Sequence, residues 1–463
     1  MARQLYRRLL GIFSLAVVCA CYRNEKPFMK FEETQLTTAP KGHTVHHTQV
    51  FSKDGRWVVY DTRNDDTQIG STGSIELVNV HTGEVRVVYR TANQTLHGPG
   101  VGAATFSPNR DLVLFIHGVR NAADASRPYS MTRRTGVAVD IDRPGHPIFM
   151  DARDIIPPFT RGALRGGTHA HSWSGDGQWI SFTYNDYIME QLAKTDSSVA
   201  DLRMVGVMVP GHVEVPDDGS LENNSGAYFS MVVTEVTEDP TPGSDEIDKA
   251  FDECWIGTDG YRRSDGSKQR KAIAFQGNVR NGSGKTITEV FVVDLPDSLR
   301  DAVGEQPLEG TVTSRPAVPQ GIVQRRVTFS DCGIEGPRHW LRTTPDGSLI
   351  SYLAKDSGGL VQLFGVSPNG GHPRQLTHNP FPVQGPFNIS PDGQWVAYPA
   401  DNSLFLTEIA TGKSYRITDR FDDGSKPVGA PNWSPDGNAV VYNRYIGTGI
   451  ARFLQVFLLR KTS

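Results

Sequence analysis

The sequence predicts an all-β fold, a seven-bladed β-propeller whose blades are four-stranded antiparallel sheets. The first observation is a Ser-Pro-Asp-Gly turn at residues 390–393 that returns at residues 434–437. An Asp-Gly pair between two β-rich runs is typical of a hairpin, because Gly adopts positive φ at little cost. The second is the spacing, since the two copies lie about 45 residues apart, the usual length of a propeller blade. The third is the composition, because 47 Gly and 29 Pro among 463 residues suit a turn-rich β protein.

The runs that follow each turn predict the strands of the blades. Looser copies of the turn lie at residues 52–55, 107–110, 174–177 and 344–347. The clearest strand sets are 57–60, 74–80 and 85–89 in blade one, 349–353, 361–366 and 374–377 in blade five, and 395–398, 403–408 and 415–418 in blade six. Short alternating runs separated by Gly-rich turns favour antiparallel sheets.

The two chain ends are predicted to share blade seven. That blade begins near Trp433 and reaches only a third strand, at residues 453–459. We expect residues 31–37 to supply the fourth strand, because Gln35-Leu36-Thr37 matches the Gln-Leu-Thr that ends blade five at 375–377. Such a shared blade closes the ring and removes an exposed sheet edge.

Blade four is irregular in the sequence. Residues 228–236 are predicted as its innermost strand, followed by strands at 272–276, 289–294 and 323–328. An insertion of about residues 237–270 replaces its turn and contains a predicted helix at residues 244–255. Ser244 suits the N-cap of that helix. The apolar face of the helix would consist of Ile247, Ala250, Phe251 and Cys254. The total is seven blades, with six as the alternative count.

The first residues resemble a targeting segment. Arg3, Arg7 and Arg8 precede a short apolar run at residues 9–18, and Val-Cys-Ala-Cys follows at 18–21. This pattern predicts a lipoprotein signal peptide at residues 1–20, lipid on Cys21, a linker to residue 30, and a single propeller domain at 31–463. Simple secretion with cleavage after Ala20 is the alternative. Either way we expect the cell envelope, facing the periplasm or the exterior, with the lipid as the only membrane attachment.

Charge and cysteine content exclude some partners. The formal net charge of −4 gives no general attraction to nucleic acid. After Cys21 only Cys254 and Cys332 remain. We expect two free buried thiols, with a disulfide as the alternative, and a monomer.

Four stretches of the chain carry a resemblance to a known family: Leu-Arg-Gly-Gly-Thr-His-Ala-His at 164–171, Ser-Phe-Thr-Tyr-Asn-Asp at 181–186, Pro-Gly-Ser-Asp-Glu-Ile at 242–247 and Pro-Arg-His-Trp at 337–340. With these stretches the chain is similar to the YidR-like bacterial family of unknown function, and its repeats resemble the TolB-type propeller repeat. The resemblance implies a propeller and brings no established activity.

Three histidines share one position in their blades, four residues before the residue that precedes the turn. They are His47, His169 and His339, in blades one, three and five. Because the first strand of a blade is innermost, its start lies at the mouth of the central channel. Imidazole is a good ligand for divalent metals, so these histidines predict a Zn or Mn site, with His171 and Gln384 as further ligands. The alternative is that each His hydrogen-bonds the backbone at the start of its blade.

Positive charge gathers at the same predicted mouth and favours an anionic ligand. The candidate ligand-binding residues are Arg63, His97, His117, Arg165, Asp186 and Arg338. The expected ligand is an anionic small molecule or an acidic oligosaccharide.

Three functions follow as hypotheses. The first is an envelope-anchored propeller that binds an anionic ligand at this mouth. The second is a metal-dependent lyase acting by β-elimination, with His97, His171 or Arg165 as base. The arrangement is similar to oligogalacturonate lyases, in which three His and one Gln hold the metal and that Gln lies three residues before His-x-His. Here that position is Gly166, so Gln384 would have to substitute from another blade. The third is a scaffold that binds an envelope protein.

Overall fold

The computed structural model describes residues 29–462, and it confirms a nearly all-β propeller of seven blades. Blade one consists of Trp57–Asp61, Ser74–Asn79 and Val85–Arg90. Blade two consists of Val101–Phe106, Leu112–Gly118, Arg134–Asp140 and Ile148–Phe149. Blade three consists of Gly166–Trp173, Ile180–Asp186, Met204–Val213 and Gly226–Val232. Blades four and five consist of Lys249–Trp255, Lys271–Arg280, Thr286–Leu295 and Gln324–Arg326; and Arg342–Thr343, Ile350–Lys355, Val361–Val366 and Arg374–Gln375. Blades six and seven consist of Asn388–Ile389, Trp395–Ala400, Ser403–Glu408 and Ser414–Arg416; and Pro427–Trp433, Ala439–Ile446, Phe453–Thr462 and Lys30–Gln35.

Helical structure is minor in the described residues. The α-helix Tyr187–Leu192 follows the second strand of blade three, and the 3₁₀ turns Ile69–Ser71 and Gly449–Ala451 are the other helical segments there. A small hairpin of Tyr261–Arg262 and Lys268–Gln269 projects from blade four. Within residues 29–462 we find no helix that has both the length and the apolar character to cross a bilayer.

The repeated turn is held by its own side chains. Ser390 Oγ donates to Asp392 Oδ1 at 2.5 Å, and the same carboxylate oxygen accepts from the amide of Gln394 at 3.0 Å. The amide of Trp395 donates back to Ser390 Oγ at 2.9 Å. Gly393 has φ of +72°, which favours glycine at that position. The Ser-x-Asp-Gly pattern is therefore a structural hairpin, which explains why it marks the blades so clearly.

The prediction that the chain ends share a blade is confirmed. Lys30–Gln35 pairs antiparallel with Phe453–Thr462 as the outermost strand of blade seven. Glu33 accepts from the hydroxyl of Tyr442 and from Arg444 Nη2, the latter at 2.9 Å. Ring closure therefore depends on polar contacts as well as on the strand ladder.

The helix predicted at residues 244–255 is wrong, and so is the innermost strand predicted at 228–236. Lys249–Trp255 is the innermost strand of blade four and pairs with Lys271–Arg280, whereas Gly226–Val232 is the outer strand of blade three. A bulge lies between Phe251 and Cys254, where Asp252 has φ of +49°. The extra residue of a bulge breaks the period-two alternation of a strand, so the buried positions acquire a spacing that resembles a helix. The inserted segment is the small hairpin between the first two strands.

Blade one lacks a regular innermost strand, and this segment enters the channel instead. Two isolated bridges, from Thr44 to Asp61 and from Phe51 to Val58, join residues 44–51 to the backbone of their own blade. We call residues 46–49 the channel plug, because its backbone is held by other blades. The carbonyl of His47 accepts from Asn388 Nδ2 in blade six and from Arg342 Nη2 in blade five, both at 2.8 Å.

The remaining plug contacts reach three more blades. The carbonyl of His46 accepts from Asn432 Nδ2 in blade seven at 2.9 Å. The carbonyl of Gln49 accepts from the amide of Phe106 in blade two at 2.6 Å, and its side chain bonds the backbone of Trp173 in blade three. The plug thus ties five other blades together across the channel.

The apolar core lies between neighbouring sheets. Trp173, Phe182 and Met208 pack together in one of its clusters, and each is almost completely buried. Indole N–H groups also join adjacent blades, as where Trp255 Nε1 donates to the carbonyl of Ser172 at 3.0 Å. Both kinds of contact fix the blade starts relative to one another and so position the mouth.

Candidate functional site at the channel mouth

His339 serves the backbone of its own blade. Its Nε2 accepts from the amide of Leu353 at 3.1 Å, and its Nδ1 lies 2.9 Å from the carbonyl of Pro337. Because Nε2 accepts, Nδ1 carries the proton and donates to that carbonyl. Burial lowers the pKa of His339 to about 4, against the opposing effect of the carbonyl. Both ring nitrogens are occupied, so His339 fits the backbone-bonding alternative rather than a metal ligand.

His47 is held within a stack of rings. Its Nδ1 accepts from Arg342 Nη2 at 2.8 Å, and its ring lies parallel to that of Trp340 with centroids 3.9 Å apart. The guanidinium of Arg338 lies 4.5 Å from the centroid of the same indole. The ring of His46 meets His47 edge-on at 3.9 Å. Blades one and five therefore meet at this stack, where Arg342 occupies the Nδ1 of His47 and its Nε2 is buried without a partner.

His171 belongs to a buried hydrogen-bond chain. Thr168 Oγ1 donates to Asp151 Oδ2 at 2.9 Å, so the hydroxyl accepts from His171 Nε2, which lies 3.0 Å away. Burial, followed by the charge of Arg134, lowers the pKa of His171 to about 3. The Nδ1 of this ring is buried without a partner.

The predicted metal ligands do not form a common site. Gln384 is exposed, and its Oε1 accepts from the amide of Asn402 at 2.8 Å. Among residues 29–462 there is no group of three or more His, Cys, Asp or Glu side chains placed to hold a metal ion. The residues present therefore do not fit a bound metal, and we derive no chemical step through one.

Two of the predicted anion ligands are committed to the fold. Arg63 forms a two-pronged ion pair with Asp61, at 2.7 and 2.8 Å, and both side chains are buried. Arg165 donates to Asp186 at 2.9 Å and to the carbonyls of Thr311 and Ser314. Asp186 in turn caps the helix Tyr187–Leu192. Each of the three nitrogens in both guanidinium groups already has a partner, so these arginines are committed to positioning the loops around the mouth.

The two other predicted histidines lie apart from each other. His117 is buried inside blade two, where its Nε2 lies 3.0 Å from the hydroxyl of Tyr89 and its Nδ1 lies 2.5 Å from the carbonyl of Gly118. Burial lowers the pKa of His117 to about 4. His97 is exposed on the connection between blades one and two. His117 therefore has a structural setting, whereas His97 lies at the rim.

Arg338 is the predicted ligand that does face solvent at the mouth. Its side chain is 56% exposed and pairs with Asp252 through two contacts of 3.0 and 3.3 Å. Burial acts to lower the pKa of Arg338, but its hydrogen bonds and charge attraction to Asp252 raise it overall. It is thus a fixed cation whose outer side is open.

Three further cations extend this arc over four adjacent blades. Together with Arg338 we call Arg134, Arg203 and Lys249 the mouth cluster. In the described chain, none of these three has a carboxylate within ion-pair distance. Burial, followed by the charge of Arg134, lowers the pKa of Arg203. Burial, followed by the charge of Arg203, lowers that of Lys249. Cations whose charges lower the pKa of Arg203 and Lys249 in this way favour the binding of an anion.

Arg134 and His169 present buried polar atoms without partners to this arc. Arg134 is 3% exposed, and its Nη1 donates to the hydroxyl of Tyr129 at 2.8 Å, but its Nε and Nη2 have no partner. His169 is 4% exposed, and neither of its ring nitrogens has one. Buried polar groups are normally satisfied, so two adjacent groups with free donors indicate a place for an acceptor.

Arg203, Lys249, Asp252 and Glu253 are the mouth residues that sequence reasoning missed. Lys249, Asp252 and Glu253 lie in the segment predicted as an insertion and a helix in blade four, whereas Arg203 lies just before the third strand of blade three. A signal was present, because Trp255 is followed by Thr-Asp-Gly at 258–260, a degenerate copy of the repeated turn. Counting four residues back from Ile256, which precedes the turn at 257–260, would have placed Asp252 at the histidine position.

The opposite face offers clefts whose acidic side chains are bonded within the repeated turns. A cleft of about 570 Å³ lies between blades five and six, where Asp346 and Asp392 are among its lining residues. Each of these carboxylates is bonded within its own turn, Asp346 to Thr344 at 2.5 Å and Asp392 to Ser390 at 2.5 Å. The polar groups there stabilise the hairpins, so the mouth is the better candidate.

The thiols differ from expectation in one respect. Both are free, as predicted, but Cys332 is exposed while Cys254 is buried. Burial raises the pKa of Cys254 to about 12, which makes it an inert core side chain.

Comparison with known proteins places the chain in a family. It is 39% identical over 412 residues to the uncharacterised protein YidR of Escherichia coli (strain K12), covering 87% of this chain and 92% of that protein. The chain belongs to the YidR family. Residues 100–220 also match the family model described as a protein of unknown function, DUF3748. This region holds Arg134, His169 and Arg203, so the family shares the part of the fold that builds one side of the mouth.

Two solved structures show how far similarity extends beyond the YidR family. An oligogalacturonate lyase in complex with manganese is 13% identical, with a TM-score of 0.49 and coverage of 94% of this chain and 97% of that one. TolB from Acinetobacter baumannii is 14% identical, with a TM-score of 0.36 and coverage of 88% and 80%. Similarity of this degree says nothing about what this chain binds, so function is argued from its own residues.

Proposed function

We propose that this protein is an envelope-anchored propeller that binds an anionic ligand at the mouth cluster, with an acidic saccharide as the first ligand to test. The observation that carries the proposal is the set of cations without carboxylate partners, Arg134, Arg203 and Lys249, beside the solvent-facing Arg338. A protein gains no stability from holding like charges together in a half-buried recess. Arrangements of this kind are characteristic of binding sites, where a ligand supplies the missing charge.

The chemistry of the recess suits a carboxylate. Guanidinium groups bind carboxylates through paired N–H donors, and such charge-assisted bonds are about twice as strong as neutral ones. Arg338 is held by Asp252 and by the indole of Trp340, which means that its position is set before the ligand arrives.

Calorimetric titration tests the proposal. The soluble domain is titrated with galacturonate, trigalacturonate, glucuronate, citrate and phosphate, and with galactose as the neutral control. We expect at least one acid to bind and galactose not to bind. Arg134→Met should weaken binding about ten-fold or more, because one hydrogen bond to a charged group contributes about 1.5–3 kcal/mol. Arg374→Met, an exposed arginine on the outer strand of blade five, is the matched control.

Two results would overturn the proposal. One is the absence of binding by every acid in the panel. The other is binding that Arg134→Met and Lys249→Met leave unchanged while both variants unfold like the wild type. Affinity should also fall with added salt, as expected when charge attraction dominates.

Envelope anchorage is part of the proposal and rests on the sequence alone, because Cys21 lies outside the described residues. Wild-type protein should partition with membranes and incorporate labelled fatty acid, whereas Cys21→Ser should do neither. Wild-type protein that remains unlabelled would count against anchorage without affecting the binding proposal.

A further inference from the structure

One edge of the Arg134 guanidinium has no acceptor in residues 29–462. Its Nη1 donates to the hydroxyl of Tyr129 at 2.8 Å, whereas its Nε and Nη2 are buried and without partners. These two nitrogens form one edge of the planar group, and their N–H bonds run nearly parallel. A carboxylate matches such an edge, because its two oxygens accept the two N–H groups together. The free atoms of Arg134 are therefore arranged as a fork for one carboxylate.

His169 adds a donor on the same side. Gly167 and His169 are two residues apart on the first strand of blade three, in a regular part of its pairing with the second strand, so they point to the same face. A Cβ at Gly167 would lie 3.0 Å from Arg134 Cγ, so Arg134 lies on that face as well. Both ring nitrogens of His169 are buried and without partners, and a neutral imidazole donates one N–H in either tautomer. We call Arg134 and His169 the inner subsite.

The charge and the donors of the inner subsite suit a carboxylate. Arg134 supplies one fixed positive charge, and the two side chains together supply three N–H groups. A carboxylate brings one negative charge and two oxygens that can accept all three. A phosphate monoester carries about −1.5 to −2 charges at pH 7 and would bury more negative charge than Arg134 balances.

Lys249 and Arg338 form a second, more exposed part of the mouth cluster, which we call the outer subsite. Arg338 uses its Nε and Nη2 for Asp252, and its side chain is 56% exposed, so its Nη1 is left for a ligand. Lys249 lies at the start of blade four, where the charges of Arg203 and Arg338 oppose its own. Because the cluster extends from blade two to the start of blade five, a carboxylate held by Arg134 leaves the outer subsite without an anion.

We propose that the mouth has two carboxylate subsites and that its ligand carries at least two carboxylates, one held by Arg134 and His169 and the other by Lys249 and Arg338. This inference rests on the proposed function and adds to it the number of acidic groups and the way in which each is held. It also makes His169 a hydrogen-bond donor to the ligand, in place of the metal ligand that the sequence predicted. An oligomer of uronic acids has this chemistry, with one carboxylate on each sugar.

Calorimetric titration with matched ligands tests the two subsites. Galacturonate carries one carboxylate, trigalacturonate carries three along its length, citrate carries three on a compact skeleton, and the trimethyl ester of trigalacturonate carries none. We expect the wild type to bind trigalacturonate about ten-fold or more tightly than galacturonate, because the second contact forms within the complex. Citrate should bind more weakly than trigalacturonate, and the ester should not bind.

Charge-conserving variants separate the fork from general charge attraction. Arg134→Lys keeps the positive charge but loses the two parallel donors, so it should weaken both galacturonate and trigalacturonate by about ten-fold. His169→Phe should also weaken both. Lys249→Met should weaken trigalacturonate about three-fold more than galacturonate, a modest factor because the outer subsite is partly solvated. Arg374→Lys, on the outer strand of blade five, is the matched control and should bind both acids as the wild type does.

The outcomes distinguish this inference from the binding proposal. A folded Arg134→Lys that binds both acids like the wild type would overturn the fork, since only charge would then matter. Citrate that binds as tightly as trigalacturonate would overturn the separate subsites. Either result leaves the binding proposal standing. If Arg134→Lys does not fold, His169→Phe and Lys249→Met give the same test of the inner and outer subsites. Absence of binding by every acid would overturn both proposals.

Discussion

The side chain of Gln49, in blade one, pairs with the backbone of Trp173, in blade three, across the central channel. Its Oε1 accepts from the Trp173 amide and its Nε2 donates to the Trp173 carbonyl, both at 3.0 Å. An amide side chain that satisfies both backbone groups of one residue replaces part of a strand ladder. This pair holds the channel plug at the first strand of blade three, which also carries His169.

Gln49→Ala should therefore destabilise the fold. The substitution leaves the backbone N–H and C=O of the buried Trp173 without partners, which costs about 1–3 kcal/mol for such a group. Chemical denaturation of the wild type and the variant measures the difference. Gln178→Ala, an exposed glutamine in the blade-three turn, is the control and should change stability by less than about 0.5 kcal/mol. Equal stability of Gln49→Ala and the wild type would show that the pair does not hold the plug.

Because the N-terminal strand closes the ring, deleting it should lower stability more than a single substitution within it. Deleting residues 30–37 exposes the edge of Phe453–Thr462 and should lower the melting temperature by several degrees or cause aggregation. On the same strand, Glu33→Ala should cost about 1 kcal/mol, because Glu33 bonds Tyr442 and Arg444. Glu32→Ala, an exposed neighbour, should be close to neutral. A deletion variant that melts like the wild type would contradict the shared blade.

The fold could be predicted where the turn pattern is complete, and not where it is degenerate. Ser390, Asp392 and Gly393 each make a contact that the hairpin requires, so the pattern carries structural information directly. In blade four the turn is Thr258-Asp259-Gly260 with a hairpin inserted after it, and the bulge at Asp252 disrupts the alternation of the strand before it. The turn pattern and the period-two alternation therefore both failed to predict the first strand of blade four.

The site was predictable to the level of the mouth and not to the level of its residues. Strand order alone placed His47, His169 and Arg338 near the channel. It gave no information on which side chains are already paired, and Arg63 and Arg165 proved to be bound to Asp61 and Asp186. Free donors are a property of packing between blades, which a single sequence does not display.

Glu253 predicts how stability depends on pH. Its Oε2 accepts from Thr183 at 2.7 Å, and its Oε1 is buried without a partner. Burial, with a smaller contribution from the charge of Asp252, raises the pKa of Glu253 from 4.5 to about 7. The folded state therefore holds this proton more tightly than the unfolded chain does. Its stabilising contribution is complete below about pH 4.5 and is lost as the pH rises toward 7.

Glu253→Gln should remove this dependence. A shift of this size corresponds to about 3 kcal/mol between the two limits, at about 1.4 kcal/mol for each pKa unit. Above pH 7 the variant should be more stable than the wild type, and near pH 4.5 the two should be similar. Urea denaturation across this range measures the difference. A variant whose stability profile runs parallel to that of the wild type would assign the pH dependence to other groups.

Lys249 predicts a trade between stability and binding. It lies half-buried beside Arg203 and Arg338, whose positive charges repel its own. In residues 29–462, no carboxylate lies within ion-pair distance of its ammonium group. Lys249→Met removes the charge and, with it, the cation–π contact of Nζ with the ring of Phe251, whose centroid lies 4.4 Å away. The free protein should become more stable by about 0.5 kcal/mol at low salt, a value kept small because the group is partly solvated.

Two further measurements test whether relief of charge repulsion causes that gain in stability: the effect of salt and the effect of Lys41→Met. Added NaCl should stabilise the wild type more than Lys249→Met, because salt screens the repulsion that the variant lacks. Lys41→Met should do the opposite and lose stability, since Lys41 pairs with the buried Glu76 at 2.6 Å and its removal leaves that carboxylate without its cation. The gain in Lys249→Met should come with weaker binding of the acid, as expected where a site keeps like charges together for a ligand. A Lys249→Met variant that is less stable than the wild type and still binds the acid equally well would show that the cluster is structural.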